Sequence, residues 1–336
     1  MRKSVLFLAF VSLVFCSSIA QAAPKYRLRL GTTVTSPHPW YQAAEYMAKR
    51  VSELTKGDVE ISIHGGGALG NENAIANGMR LGSVDLMILS FTPLASIVPE
   101  GAVFCIPYIF NGYEHNARVM DTNGPVFPLL SKYISDKKLG FSLLATGGGG
   151  ARCYLNMNGP IVTPADMKGL KLRTVVNAMT KKVWSLVDAV PMAVSATEAY
   201  SAMQTGVCNA VEASLSFFNS ARLCELAKYL ALSYHEFVVT HISVSNLTMK
   251  KLPKEYQEAV KTAAVEAGAL VTKLGIEMDS KMIDLMVKKD GVKTNEIDRK
   301  AFLDVFASLQ DELATTLQGT KNGMELLTAI RAQVGK

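Results

Sequence analysis

The chain has 336 residues, of which 49% are hydrophobic and 19% charged, a composition that supports folded cores and excludes a disordered chain. This length predicts about two domains. The net charge of +6 is modest, and the basic residues are scattered without interleaved aromatic residues, so the sequence predicts no nucleic-acid partner.

The first 22 residues have the pattern of an export signal. Arg2 and Lys3 give a positive start, residues 5–14 form a short apolar run, and Ala20-Gln21-Ala22 is a small-residue cleavage site. About ten apolar residues are too few for the roughly twenty that cross a bilayer. We therefore expect a signal peptide at 1–22, cleavage before Ala23 and a periplasmic mature protein.

The first half of the mature chain alternates strand and helix patterns. Strand patterns cover 26–31, 59–64 and 85–90, helical patterns cover 41–55 and 71–81, and the apolar segment 104–110 is expected to be buried. This β-α-β-α-β order predicts a mainly parallel sheet covered by helices.

The segment HGGGALG, residues 64–70, has three glycines at the spacing of a dinucleotide-binding turn, and Asp85 follows at about the distance of a ribose-binding acid. The strand before the glycines alternates as if half exposed, whereas a dinucleotide-binding strand is buried on both faces. Asp85 also begins its strand instead of ending it. We interpret the glycines as a tight strand-to-helix turn, with at most an indirect role in binding.

A second set of alternating elements begins at Leu139. Strand patterns cover 139–146, 151–158, 170–175, 189–195 and 207–214, and helical patterns cover 178–187 and 196–203. Four consecutive glycines at 147–150 indicate a segment that bends tightly or approaches another backbone closely. Because no linker or repeat divides the two sets, we expect two α/β units between which the chain crosses more than once.

The last third of the chain is predicted to be mainly helical. Apolar residues recur at helical spacing from Pro253 to about Lys288, which predicts one helix of roughly 50 Å, long enough to lie across both units. Residues 298–318 and 323–334 have the pattern of two further amphipathic helices.

The sequence offers no motif for a metal, a cofactor or an enzyme reaction. Cys105, Cys153, Cys208 and Cys224 remain after signal removal; their spacing matches no metal site, and buried free thiols are favoured over the three possible disulfide pairings. The five histidines form no HExxH motif. Neither a phosphate-binding Gly-Lys-Ser/Thr ending nor a GxSxG elbow is present.

Several separated motifs resemble the DctP-type solute-binding proteins of TRAP transporters. They are PIVTPADMKGLKLRT (160–174), TEAYSAMQTGVCNAVE (197–212), GGALGNENAIANGMRLGSVDLM (66–87), IPYIF (106–110) and LAKYLALSYH (226–235). Their order and gaps match along nearly the whole mature chain.

The resemblance implies an α/β, two-domain periplasmic-binding-protein fold that is class II-like, with hinge strands and a long helix spanning both domains. Domain I would comprise 23–149 plus about 238–277, and domain II 150–237 plus about 278–336. The function implied is a receptor, not an enzyme, that closes over an organic carboxylate and delivers it to the small and large membrane subunits of the transporter. A receptor that presents its ligand to a membrane kinase is the alternative. A monomer is expected, with a dimer left open.

Two arginines stand at positions that the resemblance marks as functional. Arg173 matches the arginine that clamps the carboxylate, and a planar guanidinium suits that role because it can bind both carboxylate oxygens in parallel. Arg152 matches a second arginine after the glycines, either a further substrate contact or part of a hinge salt bridge.

Departures from the family pattern suggest the ligand. Ala213 and Ala196 replace an asparagine and an aromatic residue that related proteins often have. The volume they would free suggests a bulky monocarboxylate, such as an aromatic amino acid or aromatic 2-oxo acid. The alternative is that neighbouring side chains refill the gap around a C4-dicarboxylate or an aliphatic 2-oxo acid. The other expected substrate-binding residues are Trp40, Phe91 and Phe217 as apolar walls, Ser90, Thr33 and Thr92 as hydroxyl groups, and Glu212.

Overall fold

The structure is a computed structural model that describes residues 23–317 and 319–335; the predicted signal peptide lies outside them. The strands are β1 (Tyr26–Gly31), β2 (Val59–His64), β3 (Leu86–Ser90), β4 (Phe141–Gly147), β5 (Ala151–Asn156), β6 (Lys171–Thr174), β7 (Val190–Ala193), β8 (Ala210–Ser214), β9 (Tyr229–Phe237), β10 (Thr240–Ser245) and β11 (Lys293–Glu296). The α-helices are α1 (Pro39–Leu54), α2 (Glu72–Leu81), α3 (Phe91–Leu94), α4 (Tyr113–Val119), α5 (Phe127–Asp136), α6 (Ala178–Ser185), α7 (Ala199–Gln204), α8 (Leu215–Ser220), α9 (Asn246–Lys251), α10 (Lys254–Asp290), α11 (Arg299–Phe306), α12 (Gln310–Thr315) and α13 (Gly323–Arg331). In these described ranges, no helix combines the length and hydrophobicity that a membrane crossing requires.

The first sheet has the strand order β2-β1-β3-β10-β4. Strand β1 pairs in parallel with both β2 and β3, as the β-α-β-α-β pattern predicts. Strand β10 enters between β3 and β4 and is antiparallel to both. Strand β10 was not predicted, although Ile242 and Val244 alternate with the polar residues His241, Ser243 and Ser245; the structure buries both of its faces.

The second sheet has the order β11-β9-β5-β8-β6-β7. Its central strand β5 is antiparallel to β8 and β9, and β6 is parallel to β7 and β8. The two-sheet α/β arrangement confirms the predicted fold class.

The chain passes between the two sheets at 148–150, after β4, and at 238–239, after β9. The side chain of Asn116 connects these segments: its Oδ1 accepts from the backbone N–H of Gly149 at 2.6 Å, and its Nδ2 donates to the carbonyl of Val238 at 3.2 Å. One buried amide therefore holds both crossings. The predicted domain boundaries near these crossings stay a prediction.

Helix α10 is one continuous helix of 37 residues, close to the predicted span. It packs against α1 and β4 on the first sheet and against β5 and α8 on the side of the second. Two glycines on α10 allow close approach to the first crossing: a Cβ at Gly268 would lie 2.4 Å from the Thr146 carbonyl oxygen, and one at Gly275 would lie 2.8 Å from the carbonyl carbon of Gly149. Further along α10, Asp279 accepts from the backbone N–H of Ala151.

The segment HGGGALG forms the turn between β2 and α2, as expected from the sequence. Asn71 ends it and caps α2, because its Oδ1 accepts from the N–H of Ala74. A Cβ at Gly67 would lie 2.4 Å from the Cγ2 of Thr197, which lies just after strand β7 of the second sheet. The turn thus touches the opposite half of the molecule, and its close approach requires glycine at this position.

Two other sequence expectations have clear outcomes. The four cysteines are buried and free in the structure. The helix predicted at 298–318 is not continuous: α11 and α12 are separated by a short 3₁₀ turn at Ala307–Leu309, whereas α13 matches the second predicted tail helix.

Candidate functional site

A cavity lies between the two sheets, at strand ends that point toward each other. From the first sheet, Thr33 follows β1 and Ser90 ends β3; from the second, Arg152, Arg173 and Ser214 lie in β5, β6 and β8. The cavity encloses about 50 Å³. Of the predicted site residues, those that line it are Thr33, Trp40, Ser90, Thr92, Arg152, Arg173, Ala196, Ala213 and Phe217.

Arg173 brings an unmatched positive charge to this cavity. The side chain is buried, with 3% of its surface exposed, and its Nε donates to the carbonyl of Val194 at 2.9 Å. Its guanidinium carbon lies 5.6 Å from the centre of the Phe217 ring. Within the described ranges no carboxylate forms an ion pair with it, and burial lowers its pKa. A guanidinium desolvated in this way favours an anion as partner.

Arg152, in contrast, has its counter-charges inside the protein. Its Nε lies 3.0 Å from Oε2 of Glu212 and 3.3 Å from Oε2 of Glu236, and its Nη2 also contacts the Glu212 carboxylate. Burial alone would lower the pKa of Arg152, but the two carboxylates raise it. Arg152 therefore forms a buried salt bridge, as one of its two expected interpretations requires, and it also lines the cavity, so its contact with a substrate stays a prediction.

The pKa values of the two carboxylates that contact Arg152, Glu212 and Glu236, are shifted in opposite directions. Burial and the neighbouring Glu212 raise the pKa of Glu236 to about 8. For Glu212, burial favours the neutral acid, but Arg152 and His235 outweigh it and lower the pKa. Ligand atoms of Glu212, His235 and Glu236 lie within 4.8 Å of one another, a spacing that a metal ion could use. The Arg152 guanidinium occupies this cluster, and we assign no metal to it.

Two predicted residues do not line the cavity. Phe91 is fully buried because α3 begins at this residue and directs its ring into the core, 5.8 Å from Phe104 and 5.0 Å from His241. Glu212 lies behind Arg152, beyond the cavity wall. The structure therefore places Phe91 in the core and Glu212 in support of Arg152.

The hydroxyl groups expected at the first sheet are arranged as follows. Ser90 Oγ caps α3 by accepting from the N–H of Thr92 at 3.2 Å, and it lies 2.9 Å from Thr92 Oγ1. Thr33 lines the same side. Trp40 is held in place because its Nε1 donates to Thr240 Oγ1 at 2.8 Å.

Sequence reasoning missed three polar residues of the lining, Glu72, His38 and Ser214. Glu72 is the first residue of α2, half-buried, and its Oε1 lies 3.4 Å from the backbone nitrogen of Ala196. His38 Nδ1 accepts from the N–H of Trp40, and burial lowers its pKa to about 3, so the ring is neutral with its proton on Nε2. An acid in the first turn of a helix is common for electrostatic reasons alone, so nothing in the sequence separates Glu72 from that ordinary role.

Two sheets joined by crossing segments around a cavity with an unmatched arginine define a two-lobed solute-binding protein. The family model described as bacterial extracellular solute-binding protein, family 7 (DctP), matches residues 30–316. The chain belongs to this family, which confirms the resemblance found in the sequence motifs.

Relatives match along almost the whole chain. The 2,3-diketo-L-gulonate-binding periplasmic protein YiaO of Escherichia coli K12 is 28% identical over 326 residues, which cover 97% of this chain and 96% of YiaO. A TRAP periplasmic solute-binding protein from Polaromonas, solved with D-erythronate, has a TM-score of 0.84 at 25% identity and covers 93% of this chain and 100% of its own. The protein from Sulfurospirillum deleyianum, solved with succinate, has a TM-score of 0.84 at 26% identity, covering 92% and 99%.

Proposed function

We propose that this chain is the periplasmic receptor of a TRAP transporter and binds a small organic carboxylate between its two sheets. Arg173 is the carboxylate clamp. The observation that carries the proposal is the position of this buried guanidinium on the cavity wall without a carboxylate partner. A ligand carboxylate would supply the missing counter-charge through two parallel N–H···O bonds. The bound receptor would then deliver its ligand to the small and large membrane subunits.

The size of the cavity favours a small ligand. A cavity of about 50 Å³ holds only a few water molecules, since each needs roughly 10 to 15 Å³ of such space. An aromatic acid would require much more enlargement than a four-carbon acid. The bulky ligand suggested by Ala196 and Ala213 therefore gains no support, and the alternative with a refilled gap is favoured. D-Erythronate and succinate, the ligands of the Polaromonas and Sulfurospirillum proteins, are four-carbon acids, whereas YiaO is named for the six-carbon acid 2,3-diketo-L-gulonate, so the relatives themselves bind acids of more than one size.

The ligand can be identified directly. When freshly purified protein is denatured, mass spectrometry of the released ligand should identify an intact small carboxylic acid. Isothermal titration of the refolded, ligand-free protein with that acid should then give one site per chain. Absence of binding by every small organic acid in a broad panel would refute the proposal.

Delivery to a transporter needs a separate experiment. Proteoliposomes containing the cognate membrane subunits should accumulate the identified acid only when this protein is added outside and an ion gradient is present. Uptake that is unchanged without the protein would contradict the receptor role, while leaving the binding measurements intact.

A further inference from the structure

The side chain of Asn177 connects the second sheet to the first. Asn177 follows strand β6, which carries Arg173, and its Oδ1 caps α6 by accepting from the N–H of Thr180 at 2.9 Å. Its Nδ2 donates to the carbonyl of Thr92 at 3.0 Å and to the sulfur of Cys105 at 3.2 Å. Thr92 and Cys105 follow β3 of the first sheet, 85 and 72 residues earlier in the chain. One amide therefore joins segments that belong to different sheets.

Asn177 is not a wall residue of the ligand cavity. An asparagine amide has two N–H donors and one carbonyl oxygen, and Thr92, Cys105 and Thr180 engage all three groups. The residues that line the cavity include Thr92 and Val175 on either side of this contact, but not Asn177. Any effect of Asn177 on binding must therefore come from the way it holds the two sheets together.

The hydrogen bond between Asn177 and Thr92 separates the ligand cavity from a second cavity. On the side of the first sheet, Thr92 and Pro93 line the ligand cavity, whereas Ala95 lines the second cavity, which encloses about 180 Å³. On the side of the second sheet, Val175 lines the ligand cavity and Asn177 lines the second one. Both segments thus pass from one cavity to the other at this bond. Parting them would open the ligand cavity on this side.

This bond requires the two sheets to be close together. In the described chain no strand belongs to both sheets, and Thr92 and Asn177 follow strands of different ones, so separation of the sheets breaks the bond. The bond must therefore break before a ligand leaves, whereas a ligand that meets the open form does not encounter it. A neutral hydrogen bond of ordinary strength changes such a rate about three- to tenfold.

We propose that Asn177 is a latch that holds the two sheets closed over a bound acid, and that it slows release of the acid without touching it. This inference rests on the proposed function, because it assumes that an acid binds in the cavity between the sheets. It adds a positioning residue outside the cavity lining and assigns that residue to the release step.

The variant Asn177→Ser separates the latch from the helix cap. Serine caps a helix about as well as asparagine, but its shorter side chain cannot also reach the Thr92 carbonyl. Stopped-flow experiments mix refolded, ligand-free protein with D-erythronate or succinate and follow the fluorescence of Trp40, which lines the cavity. We expect the dissociation rate to rise about three- to tenfold and the association rate to stay within about twofold of the wild type. Urea unfolding of the ligand-free variant should match the wild type, because the cap is kept and the open form lacks the bond.

The control is Asn71→Ser, which makes the same change at the cap of α2. The Asn71 side chain accepts from Ala74 of its own helix and makes no hydrogen bond to the second sheet within the described ranges, so its dissociation rate should equal that of the wild type. An unchanged dissociation rate in Asn177→Ser, or an equal rise in both serine variants, would overturn the inference while leaving acid binding established. A loss of stability in ligand-free Asn177→Ser as large as its loss of affinity would also overturn it, because that result indicates a structural role. Binding of neither acid by the wild type would instead count against the proposed function and the inference together.

Discussion

The same substitution should have different effects at the two arginines of the cavity: at Arg173 it should abolish ligand binding, and at Arg152 it should lower the stability of the fold. Arg173→Met replaces a buried, unmatched charge by an apolar chain of similar length. The variant should lose ligand binding, because breaking a buried carboxylate–guanidinium pair costs about 3 to 5 kcal/mol, roughly a hundred- to several-thousand-fold in affinity. The ligand-free protein should nevertheless remain about as stable as the wild type.

The stability estimate follows from the contacts of Arg173. Methionine leaves the Val194 carbonyl without its donor, which costs about 1 to 3 kcal/mol. It also removes a desolvated charge whose burial penalty is several kcal/mol. These effects oppose each other, so the free energy of unfolding should stay within about 1 kcal/mol of the wild type, or rise.

Arg152→Met provides the matched comparison. It leaves Glu212 and Glu236 buried together without their cation, which should lower the free energy of unfolding by about 3 to 5 kcal/mol. Urea denaturation followed by circular dichroism measures stability, and isothermal titration measures affinity. A loss of more than about 3 kcal/mol in Arg173→Met would show that Arg173 has a structural ion pair. Retention of affinity within about tenfold would refute its role as clamp.

Three further substitutions test the supports of the site. Burial and Glu212 raise the pKa of Glu236 to about 8, so between pH 4.5, its ordinary pKa, and pH 8 the folded state holds a proton that the unfolded state has released. The stability that this group contributes is therefore present at low pH and lost as the pH rises toward 8, and Glu236→Gln should flatten that decline in urea titrations between pH 5 and 8. The same slope in the variant and the wild type would contradict this protonation. Asn116→Ala should lower the free energy of unfolding by about 2 kcal/mol and raise the ligand dissociation rate, because the chain crossings at 148–150 and 238–239 each lose a hydrogen bond. A dissociation rate in stopped-flow and a melting temperature that both equal those of the wild type would refute this role of Asn116. Gly275→Ala should lower the free energy of unfolding by about 1 to 3 kcal/mol, because the new Cβ would press on the backbone of Gly149. The control Gly159→Ala should change stability little, because no atom lies within 4 Å of its Cβ. Equal melting temperatures for the two variants would contradict the packing argument.

Local periodicity predicted elements well where one face is exposed. Helix α10 and strands β1 and β2 have the expected alternation of buried and exposed residues, and their predicted bounds agree closely with the structure. Strand β10 was missed although Ile242 and Val244 alternate with polar residues; the alternation does not reveal that both faces are buried, with His241 and Ser243 hydrogen-bonded to each other. Its place between β3 and β4 follows from pairing with strands far away in the chain, which local periodicity does not give.

The site was predictable where sequence motifs carry it and not where tertiary contact creates it. Arg173 and Arg152 came from motif resemblance, and both line the cavity. Phe91 stands one residue beyond β3, but α3 begins there and turns the ring into the core. Glu72, at the start of α2, reaches the cavity because it contacts Ala196, which lies 124 residues later in the chain. A contact between residues so far apart in the chain cannot be predicted from local sequence patterns.

The contact between Glu72 and Ala196 also explains why small residues did not create a large cavity. The notion of a bulky ligand treats Ala196 as space left for substrate, yet the Glu72 carboxylate approaches its backbone nitrogen at 3.4 Å. Next to it, Thr197 packs so tightly on Gly67 that a Cβ at the glycine would lie 2.4 Å away. The small side chains therefore permit close approach of the two halves of the protein. The same approach also places the Glu72 carboxylate in the lining of the cavity.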